Sequence, residues 1–460
     1  YNKRVSSLDF QEVKKFPILR RGAIQGGFTA EERVVRINAF GVLAKRTIGD
    51  VYGIVEKGGR SGLEMYYNKE LEGKDGFKKT EKRAGSKVDI ILKPAEDGRD
   101  IVTTLNIHLQ EATERALMDE LERDGAVYGC AVVMEVATGK IKAIANLSRT
   151  KSGKYSEITN IACGSEIDPG STFKTVSFLV AMDDGKIDTT TTVSTEDGTH
   201  KFADRVMRDW RRGGFGILTV PEVMYQSSNV GVSVLIEKYY GNNPQRFIDL
   251  IHKTGLDTPL EIEIPGHAKV KIKNTDNRFW SKTSLPWMSI GYEVVVPPIY
   301  TLMFYNAIAN EGRMMKPMFV SEIRGPLDSV RYIEPTVVNE RIAKPETIHK
   351  MQKVLEGVVT KGTAKGVQSK LFKIAGKTGT SQIFERGSNR NAEGKTRHQI
   401  TFCGYFPADK PMYSCIVYIR EPQGAASAGG MCGKVFKQIA ERAYILNDGE
   451  VPAWAKDSIQ

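Results

Sequence analysis

The first strong pattern along the chain is an amphipathic helix that begins just after residue 105. Asn106 is a typical N-cap and Gly125 a typical stop. Apolar residues recur between them at helical spacing, at Leu109, Ala112, Ala116, Leu117 and Leu121. Residues 1 to about 103 combine Lys, Glu and Gly with short β-like runs. We therefore predict a mostly β, non-catalytic domain over residues 1–103, followed by a second domain over residues 104–450.

The second domain mixes strand patterns with helix patterns. Residues 128–136 and 141–147 predict a hairpin, with its turn at residues 137–140. Further helices are predicted at residues 220–239, 346–360 and 432–445, and strands at residues 371–382, 398–406 and 412–419. This order predicts an α/β or α+β domain in which helices surround an antiparallel sheet.

One further helix is apolar on almost every face. It is predicted to begin after Pro169 and Gly170, to cover residues 171–182 and to end at Gly185. A helix without a polar face is buried in the centre of its domain. The polar side chains near its start are therefore expected in an enclosed, apolar environment.

The composition is ordinary for a globular protein, with 40% hydrophobic and 26% charged residues. The formal net charge is +11, and acidic and basic residues are interspersed. A solvated surface accounts for this charge, and the alternative is attraction to an anionic partner such as a phospholipid surface or a pyrophosphate-bearing substrate. No basic patch is interleaved with aromatic residues, so the sequence does not predict nucleic-acid binding.

The cysteines and histidines form no ligand pattern. The five cysteines are an odd number without a C-x-x-C pair, and the six histidines are widely separated. We therefore expect free, buried thiols, no metal site and no cofactor. No apolar stretch approaches the ~20 residues of a membrane helix. Because the sequence starts at Tyr1, we expect it to be processed or cut from a longer protein.

Three short motifs occur in the second domain. They are Ser171-Thr172-Phe173-Lys174, Ser227-Ser228-Asn229 and Lys377-Thr378-Gly379-Thr380. Each is weak alone, since S-x-x-K and S-x-N occur by chance in many proteins. The three in this order, each in a suitable structural context, are strong evidence for one catalytic site.

The first two motifs predict an activated serine. A serine hydroxyl needs a nearby base at neutral pH, and Ser171 and Lys174 share a helix face because they lie at i and i+3. The Lys174 amine can be that base if burial and a second cation, Lys377, lower its pKa. Ser227 is a candidate proton relay between the lysines and the leaving group. Asn229 is a candidate to hold Lys174 and a substrate amide.

The third motif lies near the end of a predicted edge strand. Gly379 is expected to leave room for an extended substrate backbone that adds to this edge. The hydroxyls of Thr378 and Thr380 and the charge of Lys377 suit a substrate carboxylate. The amides of Ser171 and Thr380 are candidates for an oxyanion hole, since unpaired N–H groups at a helix start favour developing negative charge.

With these motifs the sequence resembles the class B penicillin-binding proteins. Residues 168–174 look like the nucleophile motif of that family, and residues 227–231 and 377–382 match the other two motifs. The flanking segments that agree are residues 43–49, 62–64 and 137–140. The resemblance covers nearly the whole chain. The Ser-Ser-Asn form resembles the septal, cell-division branch more than the elongation branch.

The resemblance implies an α+β fold, in which a five-stranded antiparallel sheet flanked by helices forms a transpeptidase domain on a mostly β pedestal. It implies a peptidoglycan D,D-transpeptidase that cross-links stem peptides through an acyl-enzyme on Ser171 and that β-lactam antibiotics inhibit covalently. It further implies cell-division proteins as partners and a location on the periplasmic face of the cytoplasmic membrane. An N-terminal membrane anchor outside this chain is expected as well.

The sequence departs from the family pattern near residues 25–27. The Arg-Gly-Ala-Ile run at residues 21–24 passes directly into Gln-Gly-Gly-Phe, where the family has a sizeable pedestal head. A Gly-Gly pair is a common flexible splice. We predict that residues 25–27 are an engineered junction that replaces a deleted head, which comparison with the native reading frame would decide.

Other functions would use the same serine and lysine. A β-lactamase or a D,D-carboxypeptidase passes the acyl group to water, whereas a β-lactam sensor or division scaffold binds without turnover. A lactamase also needs a second base to hold that water. The carboxylates near the motifs are Glu166, Asp168, Asp183, Asp184 and Glu222. Of these, Glu166 is the one that the sequence does not exclude.

Overall fold

The structure is a computed structural model that describes residues 7–29, 36–52, 58–83, 86–325, 329–384, 388–391, 394–424 and 426–447. Its N-terminal region has short helices followed by three strands. They are α1 (Ser7–Val13), a 3₁₀ turn (Leu19–Arg21), α2 (Gly22–Gly26), α3 (Lys45–Ile48), α4 (Gly62–Tyr66), α5 (Asn68–Leu71), β1 (Phe77–Arg83), β2 (Ser86–Lys93) and β3 (Asp100–Thr103).

The remainder of the chain alternates helices and strands. The first half contains α6 (Ile107–Asp124), β4 (Tyr128–Glu135), β5 (Ile141–Arg149), β6 (Tyr155–Ser156), α7 (Ile161–Gly164), a 3₁₀ turn (Gly170–Thr172), α8 (Lys174–Asp183), β7 (Thr192–Ser194), β8 (Thr199–Phe202), β9 (Arg205–Arg208), β10 (Ile217–Thr219), α9 (Val220–Gln226), α10 (Asn229–Tyr240) and α11 (Pro244–Lys253). The second half contains β11 (Lys271–Ile272), α12 (Ser284–Ser289), β12 (Val294–Val295), α13 (Pro298–Ala309), β13 (Met314–Met315), β14 (Val320–Arg324), β15 (Val330–Tyr332), β16 (Val337–Asn339), α14 (Pro345–Thr360), a 3₁₀ turn (Lys365–Val367), β17 (Ala375–Gln382), β18 (His398–Phe406), β19 (Tyr413–Arg420) and α15 (Cys432–Leu446).

The central antiparallel sheet has the strand order β17-β18-β19-β4-β5-β6. Its five long strands confirm the predicted sheet, and the two-residue β6 extends its far edge. Strand β17 is the opposite edge, as predicted. Its register places Lys377 opposite Cys403 and Thr380 opposite Ile400.

Helices cover both faces of this sheet. The α6 and α15 helices pack on one face, and α13 packs on the other. Because both faces are covered, β19 is almost entirely buried, and so is every residue of α13. Each fully buried aliphatic or aromatic side chain contributes roughly 1.5–3 kcal/mol of transfer free energy. The five cysteines also lie in this interior as free thiols, as expected.

The helix predicted over residues 171–182 begins three residues later than expected. Gly170 has φ +54°, and residues 170–172 form a 3₁₀ turn before α8 begins at Lys174. The Thr172 hydroxyl donates to Pro169 O at 2.7 Å, which holds this tighter turn. Ser171 therefore precedes the α-helix instead of lying in its first turn.

The single helix predicted over residues 220–239 was wrong. Two helices, α9 and α10, are separated at Ser227, which has a left-handed φ of +53°. Ser228 caps α10 by accepting from Gly231 N at 2.9 Å. The apolar spacing continues across the break, so hydrophobic periodicity alone predicts one continuous helix. It does not detect side-chain hydrogen bonds to the backbone, such as that of Ser228, which separate the two helices.

The N-terminal region packs against the second domain. Strand β3 pairs with β14, so one three-stranded sheet crosses the predicted boundary at residue 103. Glu157 accepts from Arg46 N at 2.7 Å and from Asn146 N at 2.9 Å. The boundary and the junction at residues 25–27 stay predictions. Within the described ranges, no helix combines the length and apolar character needed to cross a membrane.

We expect Gly291→Ala to destabilise the protein more than Gly213→Ala. Both glycines have positive φ, +89° and +83°. Replacement by alanine therefore adds a similar backbone strain of about 1–2 kcal/mol at either position. A Cβ at Gly291 would lie 2.1 Å from Gly170 O, whereas one at Gly213 meets nothing within 4 Å. The midpoint of thermal unfolding should fall further for Gly291→Ala. Equal losses for the two variants would contradict the close approach of Gly291 to Gly170.

Candidate active site

The three motifs, distant in sequence, meet beside the edge strand β17. Ser227 is their common contact. Lys377 Nζ donates to Ser227 Oγ at 2.8 Å, and Lys174 Nζ lies 3.4 Å from the same oxygen. Lys174 also donates to Ser227 O and to Asn229 Oδ1, each at 2.7 Å. The structure thus brings the two lysines, Ser227 and Asn229 together, and their catalytic roles stay predictions.

Burial sets the protonation of Lys174. Its side chain is fully buried, and this lowers its pKa to about 7, although the Asp209 carboxylate opposes the shift. A neutral amine has two N–H groups and one lone pair. The two short bonds to Ser227 O and Asn229 Oδ1 use both hydrogens. The lone pair remains available to accept a proton.

Lys377 is equally buried. It donates to Thr378 O at 3.0 Å in addition to Ser227 Oγ. Burial lowers its pKa well below the ordinary value, and repulsion from Lys174 adds to the shift. Two amines of lowered basicity therefore flank one hydroxyl group.

Ser171, the predicted nucleophile, lies in the 3₁₀ turn Gly170–Thr172 directly before α8, here named the nucleophile turn. Residues i and i+3 of such a turn eclipse, so Ser171 and Lys174 remain on the same side. The Ser171 hydroxyl forms no hydrogen bond with any residue that the structure describes, and its side chain is half-buried. The turn itself is fixed, because Tyr305 OH donates to Thr172 O at 2.9 Å and Gly170 N donates to Gly291 O at 3.2 Å.

The edge strand carries the third motif next to this turn. A Cβ at Gly379 would lie 3.1 Å from Thr172 Cγ2 and 3.3 Å from Pro169 O. The absence of a Cβ at Gly379 thus lets β17 and the nucleophile turn approach each other closely, and the predicted addition of a substrate along the strand edge stays a prediction. Thr378 is buried against Thr363, with 2.8 Å between their hydroxyl oxygens, whereas Thr380 is exposed.

Sequence reasoning missed Asp209, which follows β9. Its carboxylate accepts from Asn229 N at 2.6 Å, Val230 N at 3.0 Å and Ser228 Oγ at 2.8 Å. These bonds satisfy the unpaired amides at the start of α10 and fix the orientation of Asn229. The first backbone amides of a helix that starts at Ser228 need a hydrogen-bond acceptor, and this need was the available signal. Nothing in the sequence indicated that Asp209 supplies that acceptor.

Trp210, the next residue, was missed as well. Its Nε1 donates to Gln226 O at 2.8 Å, and its ring is 67% exposed. The hydrogen bond ties the ring to the residue before Ser227. Trp210 therefore presents a solvent-facing aromatic ring near the break between α9 and α10.

Glu166 is paired with Lys271 in this structure. Both of its carboxylate oxygens accept from Lys271 Nζ at 2.7 Å. Asp168 differs, because burial raises the pKa of its carboxyl to about 6, with a contribution from Glu293. Its backbone oxygen accepts from Gln399 Nε2 at 2.9 Å, which fixes the segment before the nucleophile turn.

The other three carboxylates that the sequence suggested serve structural contacts. Asp183 accepts from Lys344 N at 2.7 Å, and Glu222 accepts from Thr219 N at 2.8 Å at the start of α9. Asp184 is paired with Arg246. These bonds engage the side chains at helix ends, away from Ser171.

The model of the penicillin binding protein transpeptidase domain matches residues 129–441 of the chain. The chain belongs to this family. Because the match spans all three motifs, the predicted resemblance to the class B penicillin-binding proteins is confirmed.

Curated relatives and solved structures agree with this family. The chain is 28% identical over 426 residues to a probable peptidoglycan D,D-transpeptidase, PenA, of Neisseria meningitidis, covering 90% of this chain and 68% of the relative. It is 26% identical over 450 residues to stage V sporulation protein D of Bacillus subtilis, covering 93% and 65%. The crystal structure of penicillin binding protein 3 from Mycobacterium tuberculosis superposes with a TM-score of 0.76, at 24% identity and with 90% and 91% coverage. The last comparison confirms the α+β transpeptidase fold.

Acylation by a fluorescent penicillin should depend on the protonation of Lys174. Its folded pKa is lowered to about 7, so the amine is neutral above that pH and charged below it. We expect the second-order rate constant to fall with decreasing pH below about 7 and to level off above it. Lys174→Arg should acylate slowly throughout, because guanidinium is not a base in this range. A profile without a transition near neutral pH would contradict the role.

Asp209→Asn should shift that profile to lower pH. The Asp209 charge raises the Lys174 pKa, so a neutral isostere that keeps an oxygen acceptor should lower the apparent pKa of acylation. We expect a smaller maximal rate from Asp209→Ala, which also loses the acceptor for Asn229 N. Asp188→Asn, a carboxylate paired with Lys350 outside the site, is the control. An unchanged profile for Asp209→Asn would show that Asp209 is only a helix cap.

Proposed function

We propose that this chain is a peptidoglycan D,D-transpeptidase that cross-links stem peptides through an acyl-enzyme on Ser171, and that β-lactams acylate the same serine. The observation that supports this most is the pair of buried amines, Lys174 and Lys377, that share Ser227 Oγ beside the nucleophile turn. The match to the transpeptidase domain model supports the same reaction class.

In the proposed acylation, the neutral Lys174 amine takes the Ser171 hydroxyl proton as Oγ attacks the carbonyl carbon of the penultimate D-alanine. The backbone amides of Ser171 and Thr380 are proposed to stabilise the resulting oxyanion. When the tetrahedral intermediate collapses, the bond to the terminal D-alanine nitrogen breaks. Ser227 passes a proton from the lysine pair to that nitrogen, since its hydroxyl lies between both amines.

The remaining site residues are proposed to orient the substrate. Lys377 and the hydroxyls of Thr378 and Thr380 suit the terminal carboxylate of the stem peptide. Asn229 holds Lys174 through Oδ1, and one hydrogen of its Nδ2 is donated to Arg208 O at 2.8 Å. The second Nδ2 hydrogen is available for a substrate carbonyl.

Transfer to an amine is proposed over hydrolysis, because four of the five carboxylates that the sequence suggested are engaged elsewhere: Glu166 is paired with Lys271, and Asp183, Asp184 and Glu222 hold contacts at helix ends. Asp168 is the remaining carboxyl. Its pKa is raised to about 6, so it is ionised at neutral pH, and the lifetime of the acyl-enzyme tests whether it acts as a base. The acyl-enzyme would then wait for the amine of a neighbouring stem peptide. A β-lactamase or D,D-carboxypeptidase of the same fold, or a sensor or scaffold without turnover, is the alternative.

The family acts on the cell wall outside the cytoplasm. We infer a periplasmic location at the cytoplasmic membrane, through an anchor outside this chain, and a role in septal synthesis with division proteins. The Ser227-Ser228-Asn229 form supports this assignment. Two further structures of the Mycobacterium tuberculosis protein, which also resemble this chain, are complexes with aztreonam and with ampicillin, which supports β-lactams as ligands here. We further propose residues 1–103 as the pedestal and residues 104–450 as the transpeptidase domain.

Ser171→Ala should abolish covalent labelling by penicillin and leave the thermal unfolding midpoint nearly unchanged. Removing such a nucleophile should reduce the acylation rate by several orders of magnitude, on the order of a million-fold in comparable enzymes. Ser165→Ala, a serine in the segment before the motif, is the matched control and should label normally. Peptide mapping of the adduct checks the site, and a labelled peptide from elsewhere would refute the assignment.

The penicilloyl adduct on Ser171 should persist for many minutes when followed by intact mass. Its lifetime should be the same in Glu166→Gln, because that carboxylate is already engaged by Lys271. Asp168→Asn tests the remaining carboxyl and should also leave the lifetime unchanged. Rapid return to the unmodified mass with repeated turnover of the β-lactam would identify a β-lactamase.

A further inference from the structure

The β1–β2 hairpin stands apart from the rest of the sheet structure. Its two strands pair only with each other, in antiparallel register from Phe77 opposite Lys93 to Arg83 opposite Ser86. No other strand in the described part of the chain extends it. A two-stranded ribbon is marginally stable in water without a further surface to pack on. The hairpin therefore has the character of an element that is completed by a partner.

The charge of the hairpin is strongly positive. Its two strands contain six Lys or Arg residues and two Asp or Glu residues. Residues 1–103 as a whole contain 21 Lys and Arg against 15 Asp and Glu, a net +6 within a chain of +11. The cationic excess of the protein is thus concentrated in its N-terminal region, and most steeply in this ribbon.

The same ribbon exposes large apolar side chains. Phe77 is 64% exposed, Ile91 71% and Leu92 66%. More than half of the large apolar residues that are exposed in the described chain precede residue 104. Val88 is exposed as well. Single exposed apolar residues are normal, but four on one short ribbon indicate a surface that is covered in use.

Lys78, Lys82 and the exposed Ile91 share one face of the ribbon. The register pairs Lys78 with Ile91, and the alternation along β1 places Lys82 on the same face as Lys78. Lys78 and Lys82 are both exposed. This combination fits the headgroup boundary of an anionic bilayer, where apolar side chains insert and nearby Lys or Arg side chains are attracted to the anionic headgroups.

We propose that the β1–β2 hairpin binds the surface of a membrane containing anionic phospholipid. Addition of a partner strand is the other use of an isolated ribbon, and the charged residues along both strands disfavour it, because edge lysines are a common protection against strand pairing. A soluble polyanion would match the charge but would leave Phe77, Ile91 and Leu92 exposed. Attachment at this ribbon does not depend on the transpeptidase reaction.

Vesicle flotation of the 460-residue chain tests the proposal, with vesicles of phosphatidylglycerol and phosphatidylcholine compared with phosphatidylcholine alone. The chain should float only with the anionic vesicles, and less at high salt. Lys78→Glu with Lys82→Glu, and separately Ile91→Ser with Leu92→Ser, should each weaken binding about tenfold or more. Lys353→Glu with Lys361→Glu, exposed on and just after α14, is the matched charge control and should bind as the parent does.

Penicillin acylation of every variant verifies that it is folded, since none of these positions lies in the active site. Equal binding to both kinds of vesicle, or equal binding by parent and hairpin variants, would overturn the proposal. The proposal would also be overturned if the parent chain did not bind vesicles but self-associated in sedimentation, and the hairpin variants did not. That result would indicate strand pairing with a second copy. Loss of acylation with intact vesicle binding would affect the proposed function and leave the hairpin proposal standing.

Discussion

The active site depends on enclosing two lysine amines around one hydroxyl group. Removing an ammonium from water costs several kcal/mol even after the protein relaxes, so the groups are retained in less charged forms with lowered pKa values. The enclosure comes from the surrounding scaffold. Lys174 is the first residue of the buried helix α8, and the edge strand β17 places Lys377 nearby. The break between α9 and α10 puts Ser227 between the two amines.

Several close backbone contacts hold these three elements in register. Gly379 lets β17 approach the nucleophile turn, and Gly291 lets the segment after α12 approach Gly170. Tyr305 on α13 fixes the turn to the layer beneath the sheet. Helix α13 is buried along its whole length, so the core and the site share one packing arrangement. The position of Ser171 is thus set by main-chain geometry as much as by its own side chain.

Periodicity predicted much of the sheet and many of its helices. The N-cap at Asn106 and the stop at Gly125 were correct, and so was the edge position of the strand that carries Lys377. It did not predict the break at Ser227, because apolar spacing on either side is compatible with one continuous helix. The pairing of β3 with β14 joins residues more than two hundred positions apart, and no local pattern encodes such a contact. The motif residues could be grouped because their chemistry needs one another, whereas Asp209 acts through tertiary contacts that have no local pattern.

Lys174 is held by the main chain of residue 227 as well as by side chains. Its bond to Ser227 O is as short as its bond to Asn229 Oδ1, and this carbonyl is aimed inward by the left-handed conformation of Ser227. In the proposed mechanism, different atoms of Ser227 therefore hold the base and relay the proton. A substitution that removes the Ser227 hydroxyl would preserve the carbonyl bond to Lys174 if the new side chain tolerates positive φ. The site would then keep its backbone shape but would transfer protons poorly. Comparisons of backbone shape alone would not distinguish such an inactive relative from an active enzyme.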